Sequence, residues 1–194
     1  FLAFVTENGG TPAEAMRIND DGKLLMGTTS SDTDDVLQIE SPASGGGYGI
    51  QIRRNDNNTD QQVGSIKFGN SADSDLALIA VKTDGADNSG AMLFQTAGSG
   101  TTSERMRIVR DGRIFFQKTA ENAQSDGFEF HPSAGIVATG SAAVVGVFNR
   151  KTNDGTIVQF RQDNTTEGTI TVSGSTVSFN GGHLTRWSQA TDGN

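Results

Sequence analysis

The stretch EAMRINDDGKLLM, Glu14 to Met26, returns as ERMRIVRDGRIFF from Glu104 to Phe116. The offset is constant at 90: Glu14 and Glu104, Met16 and Met106, Arg17 and Arg107, Ile18 and Ile108, Asp21 and Asp111, Gly22 and Gly112. The likeness extends upstream, where LAFVTENGG (2–10) answers MLFQTAGSG (92–100) and Phe4 answers Phe94. Within each copy Met16 and Ile18 alternate with Arg17, and Leu24 and Met26 with Leu25, the period of a strand. The turn sets the register. A two-residue Asp-Gly loop would place Ile18 opposite Leu25 and Arg17 opposite Met26, mixing charge and apolar groups on both faces. A type I turn over Asn19-Asp20-Asp21-Gly22, with Gly22 left-handed in a bulge, instead pairs Met16 with Met26 and Ile18 with Leu24. The second copy obeys the same rule, pairing Met106 with Phe116 and Ile108 with Ile114 and leaving Arg107 and Phe115 on the other side. Gly22 and Gly112 are expected to resist any side chain.

Composition bounds what such hairpins build. Leu, Ile, Val and Phe together make 42 of the 194 residues, about 22 percent, just above the ~20 percent below which charged chains stay disordered. That is a thin core for a monomer. Abundant Gly, Asn, Asp, Ser and Thr place a turn every ten residues or so, as in an all-β chain of short strands. Copies that bury each other's apolar faces and pair each other's edges meet both needs, which points to an obligate homo-oligomer. A net charge of −8 with scattered basic residues argues against nucleic acid and anionic membranes as partners. No cysteine is present, which fits assembly in the cytosol better than a disulfide-held secreted domain. The opening FLAFVTENGG is apolar for five residues without a basic leader, so it reads as a strand at the cut end of a longer chain, not a signal peptide or a membrane span.

Taken in order, residues 1–29 predict a three-strand meander, and VLQIE (36–40) a further short strand. SSDTDD (30–35) reads as a solvated acidic loop in preference to a calcium site, since it lacks the sharp-turn Gly and the closing Glu of a calcium loop. The Gly-rich SPASGGGYG (41–49) reads as a flexible break, and no helix follows it to make a phosphate cradle. Ile50 with Ile52, and Ile66 with Phe68, predict strands with one wet face. Leu76 to Val81, apolar on both faces, predicts a central strand or a subunit seam. QKTAENAQSDG (117–127) reads as a polar connector, and the small residues of 134–146 as either a close approach of chains or a linker. VFNRKTNDGTIVQFRQDN (147–164) loosely echoes IQIRRNDNNTDQQVGSIKFGN (50–70), a second and weaker repeat in which a strand ends in basic residues before an Asn-Asp turn.

Chemistry-bearing residues are sparse. His131 and His183 are the two histidines, too few with no cysteine for a transition-metal site, so no metal or other cofactor is expected. No G-x-S-x-G elbow is present, and paired carboxylates for sugar cleavage cannot be picked out from composition. No catalytic residue is assigned. Tyr48 and Trp187, each after a run of glycines, read as packing residues, with receptor contact as the alternative.

The pattern TTSERMRI (101–108), then Asp-Gly, a short strand and Gly-Thr-Thr-Ser, as in DGKLLMGTTS (21–30), resembles a repeat frequent in bacteriophage tail-fibre proteins. The first copy has Ala15 where the pattern has Arg, and the second has Gln117-Lys118-Thr119 where it has Gly-Thr-Thr. GTITVSGSTVSFN (168–180) resembles the segment that leads into the C-terminal intramolecular chaperone of tail fibres and tailspikes. GGHLTRWSQ (181–189) stands where the family's Ser-Asp and Arg-Leu-Lys residues follow, so no cleavage residue carries over. The resemblance implies an elongated, intertwined homotrimeric fibre of short antiparallel strands and hairpins. It divides into a hairpin repeat over 1–40, a strand segment ending in the second repeat over 41–120, and a β segment over 121–194 leading toward a chaperone junction. Its implied role is structural and adhesive, in the virion tail after assembly in the host cytoplasm, with itself, neighbouring tail proteins and a host surface glycan or protein as partners. The alternatives are a tailspike-like depolymerase and a capsid decoration fibre; the receptor-binding residues are not identified.

Overall fold

A computed structural model describes residues 1–41 and 49–181; Tyr48, His183 and Trp187 lie outside them. The regular structure of the described residues is β throughout. The chain divides into two compact units, Phe1–Ile66 with Ala80–Gly90, and Lys67–Ile79 with the chain from Ala91 on.

In the first unit, β1 (Leu2–Asn8), β2 (Thr11–Ile18), β3 (Leu24–Met26) and β4 (Leu37–Ile39) make one sheet in that order. The hairpin register is the one that the alternation and the Asp-Gly turn dictate: Met16 faces Met26, Arg17 faces Leu25 and Ile18 faces Leu24. Gly22 sits at φ 80° and donates its N–H to the Asn19 carbonyl at 3.2 Å, while the Asn19 N–H closes the loop on Lys23. One extra residue, Ala15, interrupts β2, because Phe4 pairs with Met16 while the next residue, Val5, pairs with Glu14. In an even strand Glu14 and Arg17, three apart, would point to opposite faces; the bulge brings them to the same one.

The second unit repeats this meander as β7 (Gly90–Gly98), β8 (Thr101–Ile108) and β9 (Ile114–Phe116), with a bulge at Arg105. Next to β9 run β10 (Gly127–His131) and β11 (Gly135–Thr139), so part of the small-residue stretch 134–146 is a strand. Beyond β7 the row continues through β6 (Ala77–Thr83) to β5 (Gln62–Phe68). The expectation for Leu76–Val81 holds as an interior strand over Ala77–Val81, with one face buried: Leu78 and Ala80 are covered, while on the other face Ile79 is half-buried and Val81 exposed. A separate antiparallel sheet contains β12 (Gly155–Gln162), β13 (Thr165–Ser173) and β14 (Thr176–Gly181).

Two expected strands do not form. Residues 49–54, with Ile50 and Ile52, and residues 147–154 belong to no sheet. In both places an arginine side chain occupies backbone groups of the strand that follows. Arg54 donates to the Gln62 carbonyl at 3.3 Å. Arg150 donates to the Thr156 carbonyl at 3.3 Å and to the Asn153 side chain at 2.9 Å. The weak second repeat thus survives as a pair of arginine-clasped turns, not a pair of strands.

The sheets also depart from a purely antiparallel plan. β4 runs parallel to β3, whereas β10 runs antiparallel to β9. Leu-Gln-Ile and Phe-Glu-Phe read the same in either direction, so each puts two apolar residues on one face and the polar residue on the other. After β3, Gly27 turns at φ 79°, and a Cβ there would collide with the Glu40 carbonyl of the parallel β4 chain. The equivalent position after β9 is Gln117, also left-handed at φ 58°, and its N–H makes the equivalent bond, to the Arg105 carbonyl at 3.0 Å. A non-glycine residue is disfavoured there by about 1–2 kcal/mol. Gln117→Gly is therefore expected to stabilise the protein by about 0.5–1 kcal/mol after the entropy cost of glycine, seen as a higher urea midpoint at unchanged slope. Gly27→Gln is expected to lower the midpoint.

Candidate functional site: apolar sheet faces over a charged interior

Cross-strand pairing sorts each sheet into two unlike faces. In the first unit one face carries the rows Leu2–Ile18–Leu24–Leu37 and Phe4–Met16–Met26–Ile39. In the second unit the corresponding rows are Met92–Ile108–Ile114–Phe130–Ile136 and Phe94–Met106–Phe116–Phe128–Ala138. The β12–β14 sheet repeats the theme with Val158–Ile170–Phe179, Val172–Val177 and Phe160 on one side. No charged residue interrupts these rows. Phe116, Phe128 and Phe130 meet edge to face with centroids 5.0–6.4 Å apart.

The opposite faces hold the charge, and in the two repeat sheets they are the buried ones. In the second unit Leu93, Arg107, Phe115 and Glu129 lie in one row, and all four are buried. Arg107 grips both oxygens of Glu104, at 2.5 and 2.6 Å. Beyond Phe115, Lys118 donates its ammonium to Glu129 Oε1 and, at 2.6 Å, to the Asn122 carbonyl; the Asn122 N–H in turn reaches Glu129 Oε1 at 3.2 Å. The lysine and glutamate side chains are 3% and 2% exposed, which makes this the most deeply buried ion pair of those described. The first unit has Leu25, fully buried, in the place of Phe115 and Gln38 in the place of Glu129. Gln38 donates to Ser31 Oγ and to the carbonyls of Thr33 and Asp35, and accepts from the Asp32 N–H. Lys23 reaches the Thr33 carbonyl at 2.6 Å.

The acidic loop is exposed at Asp32 to Asp35, as expected, and its backbone is tied to Gln38 and Lys23; the polar connector at 117–127 is likewise exposed over 119–126 and is tied through Asn122 to Lys118 and Glu129. Residues that the sequence reading left unassigned, Lys118 and Glu129, make the central contact. The repeat's constant offset does not reveal the pair, since Lys118 answers Thr28 at 90 whereas Glu129 lies 91 from Gln38.

Four carboxylates titrate low, two beside the buried faces and two in exposed turns. Two charge-assisted bonds from Arg17 hold Glu14 below its ordinary range, and the Lys118 ammonium, aided by the Asn122 N–H, does so for Glu129. Arg113 lowers Asp111; the Gly174 N–H and the Ser173 hydroxyl lower Asp154. A folded-state pKa below the unfolded value means that the native state binds fewer protons in the window between them. Stability is then fully present above the ordinary carboxylate range and is lost as the pH falls through the folded values. A denaturation midpoint that is flat near neutrality and drops below the ordinary carboxylate pKa is the expected result, and Glu129→Gln should flatten the acid limb.

Other candidate groups carry less. His131 accepts from the Ser133 N–H on Nδ1 at 3.3 Å and lies 3.5 Å from Glu121 through Nε2. Among the described residues no group of three or more His, Cys, Asp or Glu side chains converges on a metal-sized site. A cavity of about 320 Å³ in the second unit lies against Phe116, Phe128, Ala138, Val144 and Val145. A polar one of about 220 Å³ in the first unit is lined by Arg53, Arg54, Asp56, Asn58, Gln61 and Thr83 among others.

The apolar rows are open at their edge strands, where Leu2 is 56% exposed, Ile136 63% and Phe179 78%, and half-buried at their middle, at Met16, Leu24, Met106, Ile108, Ile114 and Phe116. No protein-family model matches the chain, and neither a curated protein nor a solved structure matches it.

Proposed function

We propose that this chain is a structural and adhesive segment of a bacteriophage tail fibre, built as an elongated, intertwined homotrimer that takes part in host-surface recognition. The observation that supports this reading most strongly is the uncharged apolar row that each repeated meander carries on the face opposite its buried side. Such a unit is stable where identical neighbours cover its apolar rows, which is how a slender fibre of repeats is held together. Three copies on one shaft also turn weak contacts into avid binding without a deep pocket. The partners are further copies of the chain, the neighbouring tail proteins, and a glycan or protein of the host surface. The segment adheres and does not cleave; incubation with host polysaccharide should release no new reducing ends.

The test is placement on the particle. Antibody raised against this chain should decorate tail fibres in electron micrographs of the virion. Label confined to the capsid would favour a decoration fibre, and a virion without label would contradict the reading.

A further inference from the structure

The apolar faces differ from ordinary surface in that every residue of the paired rows is uncharged, in three sheets of one chain whose net charge is −8. Scattered exposed apolar residues need no explanation, but contiguous rows with neither Lys nor Glu are what a protein–protein interface presents at its centre.

We infer that these apolar rows, and not the opposite Arg107–Phe115 side, are the surface on which copies of this chain meet, each sheet seated on the same sheet of its neighbours. This rests on the homotrimeric reading above and specifies its interface. Two observations choose a second copy as the occupant. The rows carry no charge, so like can meet like without the repulsion that two acidic chains would otherwise feel. And over three strands the face is duplicated with the repeat: Phe4, Met16, Ile18, Leu24 and Met26 are matched at an offset of 90 by Phe94, Met106, Ile108, Ile114 and Phe116. A partner that fits one three-strand face therefore fits the other, as repeated self-contact requires.

The absence of cysteine from the sequence makes single-cysteine labelling a clean test. Met92→Cys and Ile136→Cys place thiols in the rows, where the lone chain leaves the native side chains 41% and 63% exposed. Asp20→Cys and Ser99→Cys place them in exposed hairpin turns as references. In the native assembly, alkylation at 92 and 136 is expected to be at least about tenfold slower than at the turns, the factor being set by how seldom the interface opens. The difference should vanish in denaturant. If sedimentation gives a trimer and both row cysteines react as fast as the turns, the interface lies elsewhere and this inference falls while the homotrimer stands. If the protein sediments as a folded monomer, both fall. Two row positions are used so that one variant's failure to assemble leaves the other to decide.

Discussion

Lys118→Met is expected to cost about 3 kcal/mol, because it leaves the Glu129 carboxylate buried with the Asn122 N–H but no counter-charge. Taking the charge out of its partner as well should return most of the loss, since a buried pair replaced by apolar residues of similar volume is often neutral or stabilising. The double variant Lys118→Met/Glu129→Leu is therefore expected to unfold at a urea concentration well above that of Lys118→Met alone. If the single and double variants unfold together, the ion pair is not what holds the 117–126 loop against the sheet.

Phe115→Ala is expected to cost about 3–5 kcal/mol, the range for emptying a fully buried aromatic site. Phe115 is 2% exposed, faces Arg107 on one neighbouring strand and Glu129 on the other, and has the Arg113 guanidinium 5.6 Å from its ring centroid. The two ion pairs beside it fix the walls of the cavity that alanine would leave, so the site has little freedom to collapse. Leu25→Ala tests the same position in the first unit, where the covering loop is held by neutral Gln38 contacts. It should cost less than Phe115→Ala, being the smaller truncation.

Pairing within the hairpins was legible before any coordinates, because strict alternation and a left-handed glycine leave one register that does not mix charge with apolar residues. Which face would be inside was not legible. Alternation says that Met16, Ile18, Leu24 and Met26 travel together; it does not say that Arg17 and Leu25 go inward. That is decided by the bulges at Ala15 and Arg105, which turn a Glu-x-x-Arg spacing into a same-face pair, and by backbone contacts that two exposed loops make to Gln38 and Glu129. The strand sense of β4 was hidden for a different reason, since Leu-Gln-Ile is a palindrome of polarity. Ile50 and Ile52 alternate as a strand should, yet arginine side chains displace the ladder there. Each miss comes from a contact between residues distant in sequence, or from one extra residue that resets a period.

The all-β fold and its uncharged, partly open sheet faces lead to one central claim, that the folded unit is a set of identical chains and not a single one. Sedimentation equilibrium of the purified chain measures this directly. The expected result is a species of three times the 20.4 kDa chain mass, with unfolding that shifts to higher temperature as concentration rises. A cooperatively folded monomer of 20.4 kDa, with a melting temperature independent of concentration, would contradict it.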